Sequence, residues 1–464
     1  MKTLKLFFVI LLVALFNLAL GQSDSEVLLT IDDREITKKE FLRIYEKNQQ
    51  NIQSGESTQV EDYLDLFIHF KLKVIEAENR KLDTLPSIEK ELSKYRDELA
   101  RPYLIDQKVL DSLVRQAYER SQKEMRASHL LISMPRPAAY KDTVRSYEKI
   151  QSIRHRIIKK DESFNEVARA TSDDPSVKSN GGDLGYFTAL QMVYPFENRA
   201  YNMDINQISH PFRTRFGYHL LKKTGEREAR GKVKVAHIML IAPQSMPEEK
   251  KEEKKDQINE IYHKLKQGAS FETLAKKHSD DKSSAQQGGE LPWFGVGRMV
   301  PSFEEAAFSL GEKGEYTKPV KTPIGWHIIK LLDRKTLGTF QEEKSELKRK
   351  ITNNPRHQIT QDALIKQLKN EYDFARKREN FYNLYQFVDQ EKSQLQWDRL
   401  RANNGNNILF TIEETQHTTS DFIRFLENLP KDLDGKFRGQ YLLDTAYSRF
   451  EKNQIIEYEK ERLP

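Results

Sequence analysis

Two short apolar runs, SHLLIS (128–133) and AHIMLI (236–241), read as buried strands. Behind the first, Phe164, Val167 and Ala168 fall at i, i+3 and i+4, the spacing of one helical face. Each block continues through a glycine-rich turn and a further helix to a closing apolar strand, His219–Leu221 in the first block. The two blocks are a repeat with a spacing of about 107 residues. ESFNEVARATSDDPS (162–176) aligns with ASFETLAKKHSDDKS (269–283), and GGDLGYF (181–187) with GGELPWF (288–294). QMVYPFENRAY (191–201) aligns with RMVPSFEEAAF (298–308), and TRFGYHLLKK (214–223) with TPIGWHIIKL (322–331).

A second repeat, offset by 381 residues, brackets the first: VLLTIDDREITKKEF (27–41) matches ILFTIEETQHTTSDF (408–422), and VIEAENRKL (74–82) matches IIEYEKERL (455–463). Each copy reads as a strand, a turn and a helix opened by a capping box, Thr37 with Glu40 and Thr418 with Asp421. The second copy stops at Pro464, where the first runs on through SIEKELSKYRDELARPYL. Residues 60–122 and 339–400 read as polar helices, and EEKKEEKK (248–255) as the solvated opening of a helix. Asn403–Asn407 reads as a loop.

Composition narrows the class. A chain of 464 residues has room for three or four domains. It is 37% hydrophobic and 31% charged, yet its 24 Phe and 19 Tyr are too many for a disordered chain. This fits small domains with thin cores joined by solvated helices. A net charge of +6 from 76 basic and 70 acidic residues gives no case for nucleic acid, which asks for a concentrated basic face. Without cysteine there are no disulfides, thiolate nucleophiles, Cys-based zinc sites or lipid-bearing cysteine. At the N-terminus Lys2 and Lys5 precede the apolar run Leu6 to Leu20, and Ala19-Leu20-Gly21 has the small-x-small form of a signal-peptidase site. A retained anchor is the rival reading, but the run falls short of the roughly 20 residues a spanning helix needs. No later segment is apolar enough to span a bilayer.

Chemistry concentrates in the first repeat. Each block carries a histidine on its first strand and another on its last: His129 and His219, then His237 and His327. First and last strands of a small domain are often sheet neighbours, which would set the imidazoles side by side. Each block adds an SDD triplet and an apolar trio: Leu184, Met192 and Phe196, then Leu291, Met299 and Phe303. Together these outline a small pocket with a polar floor. The bland alternatives are structural strand histidines, core Met and Phe, and a helix-capping SDD. Common ancestry of the blocks means that the second copy is not independent evidence. Two histidines and a carboxylate also suit zinc or iron, though no HxH or HxxxH spacing supplies a preformed pair. No GxSxG elbow is present.

The ordered string SHLLIS…SFNEVA…TSDDPS…GGDLGYF…QMVYPFE…FGYHLLK resembles the parvulin (rotamase) family of peptidyl-prolyl isomerases, and AHIMLI…GWHIIK a second member. The match covers roughly 123–335, and the flanking helices resemble SurA-type periplasmic chaperones. The resemblance implies an α+β protein: two βαααββ domains, each a four-stranded antiparallel sheet with surrounding helices, flanked by mainly helical chaperone-like segments. It implies catalytic roles for His129, Asp174 and His219, and for His237, Asp281 and His327. It assigns proline binding to the two Leu–Met–Phe trios, with no cofactor and no metal. One departure is Pro292, where the first block has Gly185. Another is Tyr194-Pro195 against Pro301-Ser302. The expected division is a signal peptide (1–21), an N-terminal helical segment (22–122), parvulin domains (123–228 and 229–337), a helical segment (338–400) and a partial repeat of the N-terminal segment (401–464). The implied partners are unfolded or partly folded exported polypeptides with X-Pro bonds, outer-membrane proteins among them, in the periplasm. The alternative is a holdase chaperone whose parvulin domains bind peptide without turnover.

Overall fold

The fold is described from a computed structural model covering residues 26–49, 60–135, 140–387, 405–428 and 439–463. The expected signal peptide, the helical stretch 388–400 and part of the loop at 403–407 lie outside the described residues. The chain divides into two compact units, 1–101 and 102–464. Among the described residues, no helix is long and apolar enough to cross a membrane.

In the first unit a hairpin of β1 (Val27–Ile31) and β2 (Arg34–Thr37) leads into α1 (Lys38–Gln49), followed by α2 (Val60–Asn79) and α3 (Pro86–Ala100). Thr37 Oγ1 accepts the Glu40 N–H at 3.3 Å, and Ile36, Phe41 and Phe67 form the core.

The second unit opens with α4 (Gln107–Ser121), whose apolar face carries Leu110, Leu113, Val114 and Ala117. The first repeat block follows: β3 (Lys123–Ser133), α5 (Tyr140–Lys159), α6 (Phe164–Thr171), α7 (Val177–Asn180), β4 (Asp183–Phe187), α8 (Tyr194–Tyr201), β5 (Phe212–Thr214) and β6 (Gly217–Glu228). The second block repeats it: β7 (Lys232–Ile241), α9 (Glu248–Lys266), α10 (Phe271–His278), α11 (Lys282–Ala285), β8 (Phe294–Gly295), α12 (Pro301–Ser309), β9 (Val320–Lys321) and β10 (Gly325–Lys335). Each block forms a four-stranded antiparallel sheet, in the orders β4-β3-β6-β5 and β8-β7-β10-β9. The expected βαααββ pattern gains one helix, α8 or α12, and one short strand, β5 or β9, after its second strand.

Alternation along the central strands gives each sheet two apolar faces. In the first block Leu130, Ile132 and Leu220 pack on α5 and α6, while Met125, Ala127 and Leu221 face α8. The second block divides the same way, Ile238 and Ile328 against Val235 and Ile329. One edge is shorter in the second block: β8 is Phe294–Gly295, where β4 holds five residues. Pro292, with no N–H, stands where Gly185 donates to Asp183 Oδ1 at 2.9 Å.

Beyond the repeats, α13 (Phe340–Thr352) contributes Leu347 and Ile351 to the apolar cluster of α4. Then come α14 (His357–Glu371), β11 (Ala375–Arg376), α15 (Arg378–Tyr382), a 3-10 turn (Asn383–Phe387), β12 (Ile408–Ile412), β13 (Thr415–Thr418), α16 (Thr419–Glu427) and α17 (Gly439–Arg462). The hairpin β12–β13 copies β1–β2 in register and bulge: Ile408 faces Thr418 as Val27 faces Thr37, and Ile412 faces Thr415 as Ile31 faces Arg34. Its capping box is complete, with Asp421 accepting the Thr418 N–H at 2.8 Å. Here β11 adds a third strand, a short element that the helical reading of 339–400 did not contain.

Candidate active site

The two histidines of each block come from the central strands of its sheet. His129 stands opposite Leu221 and His219 opposite Leu131 in the β3–β6 ladder, so the rings are diagonal neighbours on one face. They lie 5.9 Å apart between centroids and 20° from parallel. In the second block His237 and His327 are 5.6 Å apart at 21°. The glycine pair fixes the first histidine of each. Gly182 and Gly289 accept the N–H of His129 and His237, both at 2.8 Å. They have φ of 89° and 85°, and a Cβ there would lie 2.3 and 2.2 Å from the histidine carbonyl oxygen. No other residue fits so close an approach.

The SDD triplet splits its work. Its serine and first aspartate fasten the loop to the strand that bears the first histidine. Ser172 Oγ accepts Leu131 N at 3.1 Å and Asp173 accepts Ser133 N at 2.8 Å; Ser279 and Asp280 treat Met239 and Ile241 alike at 3.1 and 2.9 Å. The second aspartate is thereby set beside the imidazole.

In the second block the polar groups form a continuous chain. Thr322 Oγ1 is 3.0 Å from His327 Nε2, His327 Nδ1 is 3.4 Å from His237 Nδ1, and His237 Nε2 is 2.8 Å from Asp281 Oδ2. Thr322 Oγ1 also lies 3.2 Å from the Gly325 carbonyl oxygen. The chain is satisfied with both rings neutral when its hydroxyl turns to His327, His327 donates to His237 and His237 to Asp281. Burial drives His327 down to about 4, helped by repulsion from His237 and opposed by Asp281. Burial also lowers His237, against the pull of Asp281. For Asp281 itself burial works upward. Hydrogen bonds from Ser283, Ser284 and His237 outweigh it and hold the carboxyl below the usual carboxylate range.

In the first block Thr214 Oγ1 is 2.8 Å from His219 Nε2, but the chain stops there. His129 Nε2 lies 3.0 Å from Asp174 Oδ2 without hydrogen-bond alignment, and Nδ1 of neither ring has a partner among the described residues. Burial brings His219 to about 4 and lowers His129. Asp174 sits below its ordinary range because bonds from Ser176 and the nearness of His129 outweigh its burial.

The apolar trio meets the imidazoles through its phenylalanine. Phe196 lies edge-on to His129 and His219, 5.9 Å from each. Phe303 lies 5.8 Å from His237 and 5.2 Å from His327. Leu184 and Met192 pack, half-buried, on the cluster of Phe196, and Leu291 and Met299 on that of Phe303. The phenylalanine is thus a floor, and the leucine and methionine a partly open rim. All the sequence-derived positions therefore converge within their own domain: His129, Asp174, His219, Leu184, Met192 and Phe196, and their second-domain counterparts. Sequence reasoning missed Thr214 and Thr322. The signal was present, because a threonine stands five residues before the closing histidine in both TRFGYH and TPIGWH.

Residues 129–225 match the rotamase model of a PPIC-type PPIase domain, and 218–335 match a second model of that description. The Chaperone SurA of Pseudomonas fluorescens is 28% identical over 253 residues, which is 54% of this chain and 58% of that protein. That of Methylococcus capsulatus is 32% identical over 241 residues, 51% of this chain and 50% of its own. The chain thus spans between half and three-fifths of the length of these curated relatives. Among solved structures, the parvulin NmPin of Nitrosopumilus maritimus is 39% identical over 22% of this chain and 97% of its own, with a TM-score of 0.18. The middle of this chain, residues 129–335, thus matches PPIC-type PPIase domain models twice in tandem.

Proposed function

We propose that the protein is a peptidyl-prolyl cis/trans isomerase that also holds unfolded exported polypeptides. The observation that carries this reading is the convergence, in both domains, of two neutral imidazoles, an ionised aspartate and a phenylalanine floor on one sheet face. An X-Pro amide is held planar by resonance, with a barrier of about 18–20 kcal/mol. A catalyst has to favour the twisted state, in which the carbonyl loses charge and the nitrogen becomes pyramidal. Phe196 with Leu184 and Met192, and Phe303 with Leu291 and Met299, form an apolar seat for the pyrrolidine ring that favours the less polar amide. The carboxylates of Asp174 and Asp281 stay ionised at neutral pH and disfavour the charge-separated planar form. The histidines and threonines orient them.

The division of labour proposed for the chain is the one expected from sequence: a signal peptide (1–21), parvulin domains (123–228 and 229–337), and chaperone-like segments (22–122, 338–400 and 401–464). The relatives are named chaperones, and a periplasmic site of action with outer-membrane proteins among the clients belongs to the same proposal. The rival holdase reading has one observation in its favour, the open hydrogen-bond chain of the first domain.

The test is an exchange assay on a proline peptide with the full chain, carrying Asp174→Ala, Asp281→Ala or both. The double variant is expected to lose turnover while still suppressing aggregation of an unfolded client. Unchanged turnover in the double variant would falsify the isomerase reading of these sites.

A further inference from the structure

The residue after the pocket phenylalanine is a buried glutamate in both domains, Glu197 and Glu304. Each uses Oε2 to accept a backbone N–H seven residues earlier, from Leu190 and Gly297, both at 2.7 Å. That bond ties the loop bearing Met192 or Met299 to the helix bearing Phe196 or Phe303. The two glutamates differ in who holds them from outside. Glu197, with 0% exposure, is gripped by Arg120 of α4 at 3.1 Å and by Arg356, just before α14, at 3.3 and 2.8 Å. Among the described residues Glu304 is hydrogen-bonded by one arginine, Arg230 from the β6–β7 connection, at 3.3 Å.

The start of the loop differs in the same sense. Leu190 and Gly297 both occupy the left-handed region, with φ of 69° and 74°. Glycine does so freely. Leucine does so only where its surroundings hold it. Leu190 and Tyr194 pack into the cluster formed by Leu110, Leu113, Leu347 and Ile351 of α4 and α13. The guanidinium of Arg356 also lies over the Tyr194 ring at 4.9 Å.

We infer that Leu190, Glu197 and Arg356 are positioning residues that make the shape of the first pocket depend directly on the helical frame of α4, α13 and α14, whereas the second pocket meets that frame only at second hand, through Gln191 of the first domain, which donates to the Val296 carbonyl at 2.7 Å. A polypeptide that displaces those helices alters the seat formed by Met192 and Phe196 more than that of Met299 and Phe303, which feels the change only through the Gln191–Val296 bond. This rests on reading the trios as proline seats.

The test uses the full chain with labelled histidines. The variants are Leu190→Gly, which deletes the anchor while relieving its backbone, and Arg356→Lys, which keeps the charge but not the two-pronged grip. Both should shift the imidazole Hε1 signals of His129 and His219 and move those of His237 and His327 much less. In an Asp281→Ala background, Leu190→Gly should raise KM for a proline peptide several-fold with a smaller change in kcat. Unmoved first-domain signals, or equal movement of both pairs, would overturn the coupling. Failure of the pocket reading looks different: signals that shift in Leu190→Gly yet never respond to proline peptide in the unaltered chain.

Discussion

The two PPIC-type domains place the same residues on the same strands and differ in two links. From Thr322 to Asp281 the second domain is hydrogen-bonded throughout, whereas the first is open between its imidazoles and between His129 and Asp174. The cause lies three residues past the aspartate, where SDDPSV meets SDDKSS. Ser284 donates to Asp281 Oδ2 at 2.5 Å while Ser283 binds Oδ1, so both carboxylate oxygens are held. Val177 takes the matching place in the apolar cluster, and Asp174 is held through Oδ1 alone, by Ser176 at 2.9 and 2.8 Å. A carboxylate fixed at one oxygen is free to turn out of the imidazole plane, and hydrogen bonds weaken steeply with misalignment. One hydroxyl against one isopropyl group thus separates a carboxylate held at both oxygens from one held at a single oxygen.

The largest expected effect breaks the domains apart in stability. Glu197→Ala strands Arg120 and Arg356 with no carboxylate in a buried site, which should cost about 3–5 kcal/mol by chemical denaturation. Glu304→Ala should cost less, because Arg230 keeps Glu305 at 2.9 Å and the backbone of Arg230 keeps Glu124. Equal losses would erase that contrast. Phe196→Ala and Phe303→Ala should each remove about 3–5 kcal/mol and the turnover of their own domain only.

Acid should act through the histidines. Folded His219 and His327, near 4, lie below their unfolded value of 6.5, so the unfolded chain binds more protons in between. Stability is at its full value above about pH 6.5 and should fall as pH drops toward 4. The depressed aspartates add a loss at still lower pH. A denaturation series flat from pH 7 to 4.5 would contradict neutral buried imidazoles.

Ser284→Ala should make the second domain behave like the first. Losing one hydrogen bond to a charged acceptor, worth about 1.5–3 kcal/mol where fully expressed, should lower second-domain turnover and raise the pH at which it declines. First-domain turnover, measured with Asp281→Ala, should be unaffected by the same change. The smallest effect is Pro292→Gly. It should reduce stability by about 0.4–1 kcal/mol, mainly by loosening the unfolded chain, with turnover unchanged.

Much of the site was readable in the chain because its positions are local or repeated. The histidines follow from strand alternation, and the SDD triplet and trios from their order in two aligned blocks. Thr214 and Thr322 were overlooked because a threonine ahead of a turn reads first as turn chemistry. Glu197 was overlooked because an acid in a polar helix reads as solvated. Only the approach of Arg120 and Arg356, from positions 77 and 159 residues away, buries it.

The sequence by itself determined the duplication and the hairpin repeated at either end, because periodicity and turn chemistry act over a few residues. The α+β class and the roles of the histidines, aspartates and trios came through the family resemblance. Tertiary structure alone decided which hydrogen bonds close, that Leu190 anchors a loop on the helical frame, and that one glutamate carries two arginines where its twin carries one. Those outcomes depend on alignment within tenths of an ångström and on partners remote in the chain, and no local pattern encodes either.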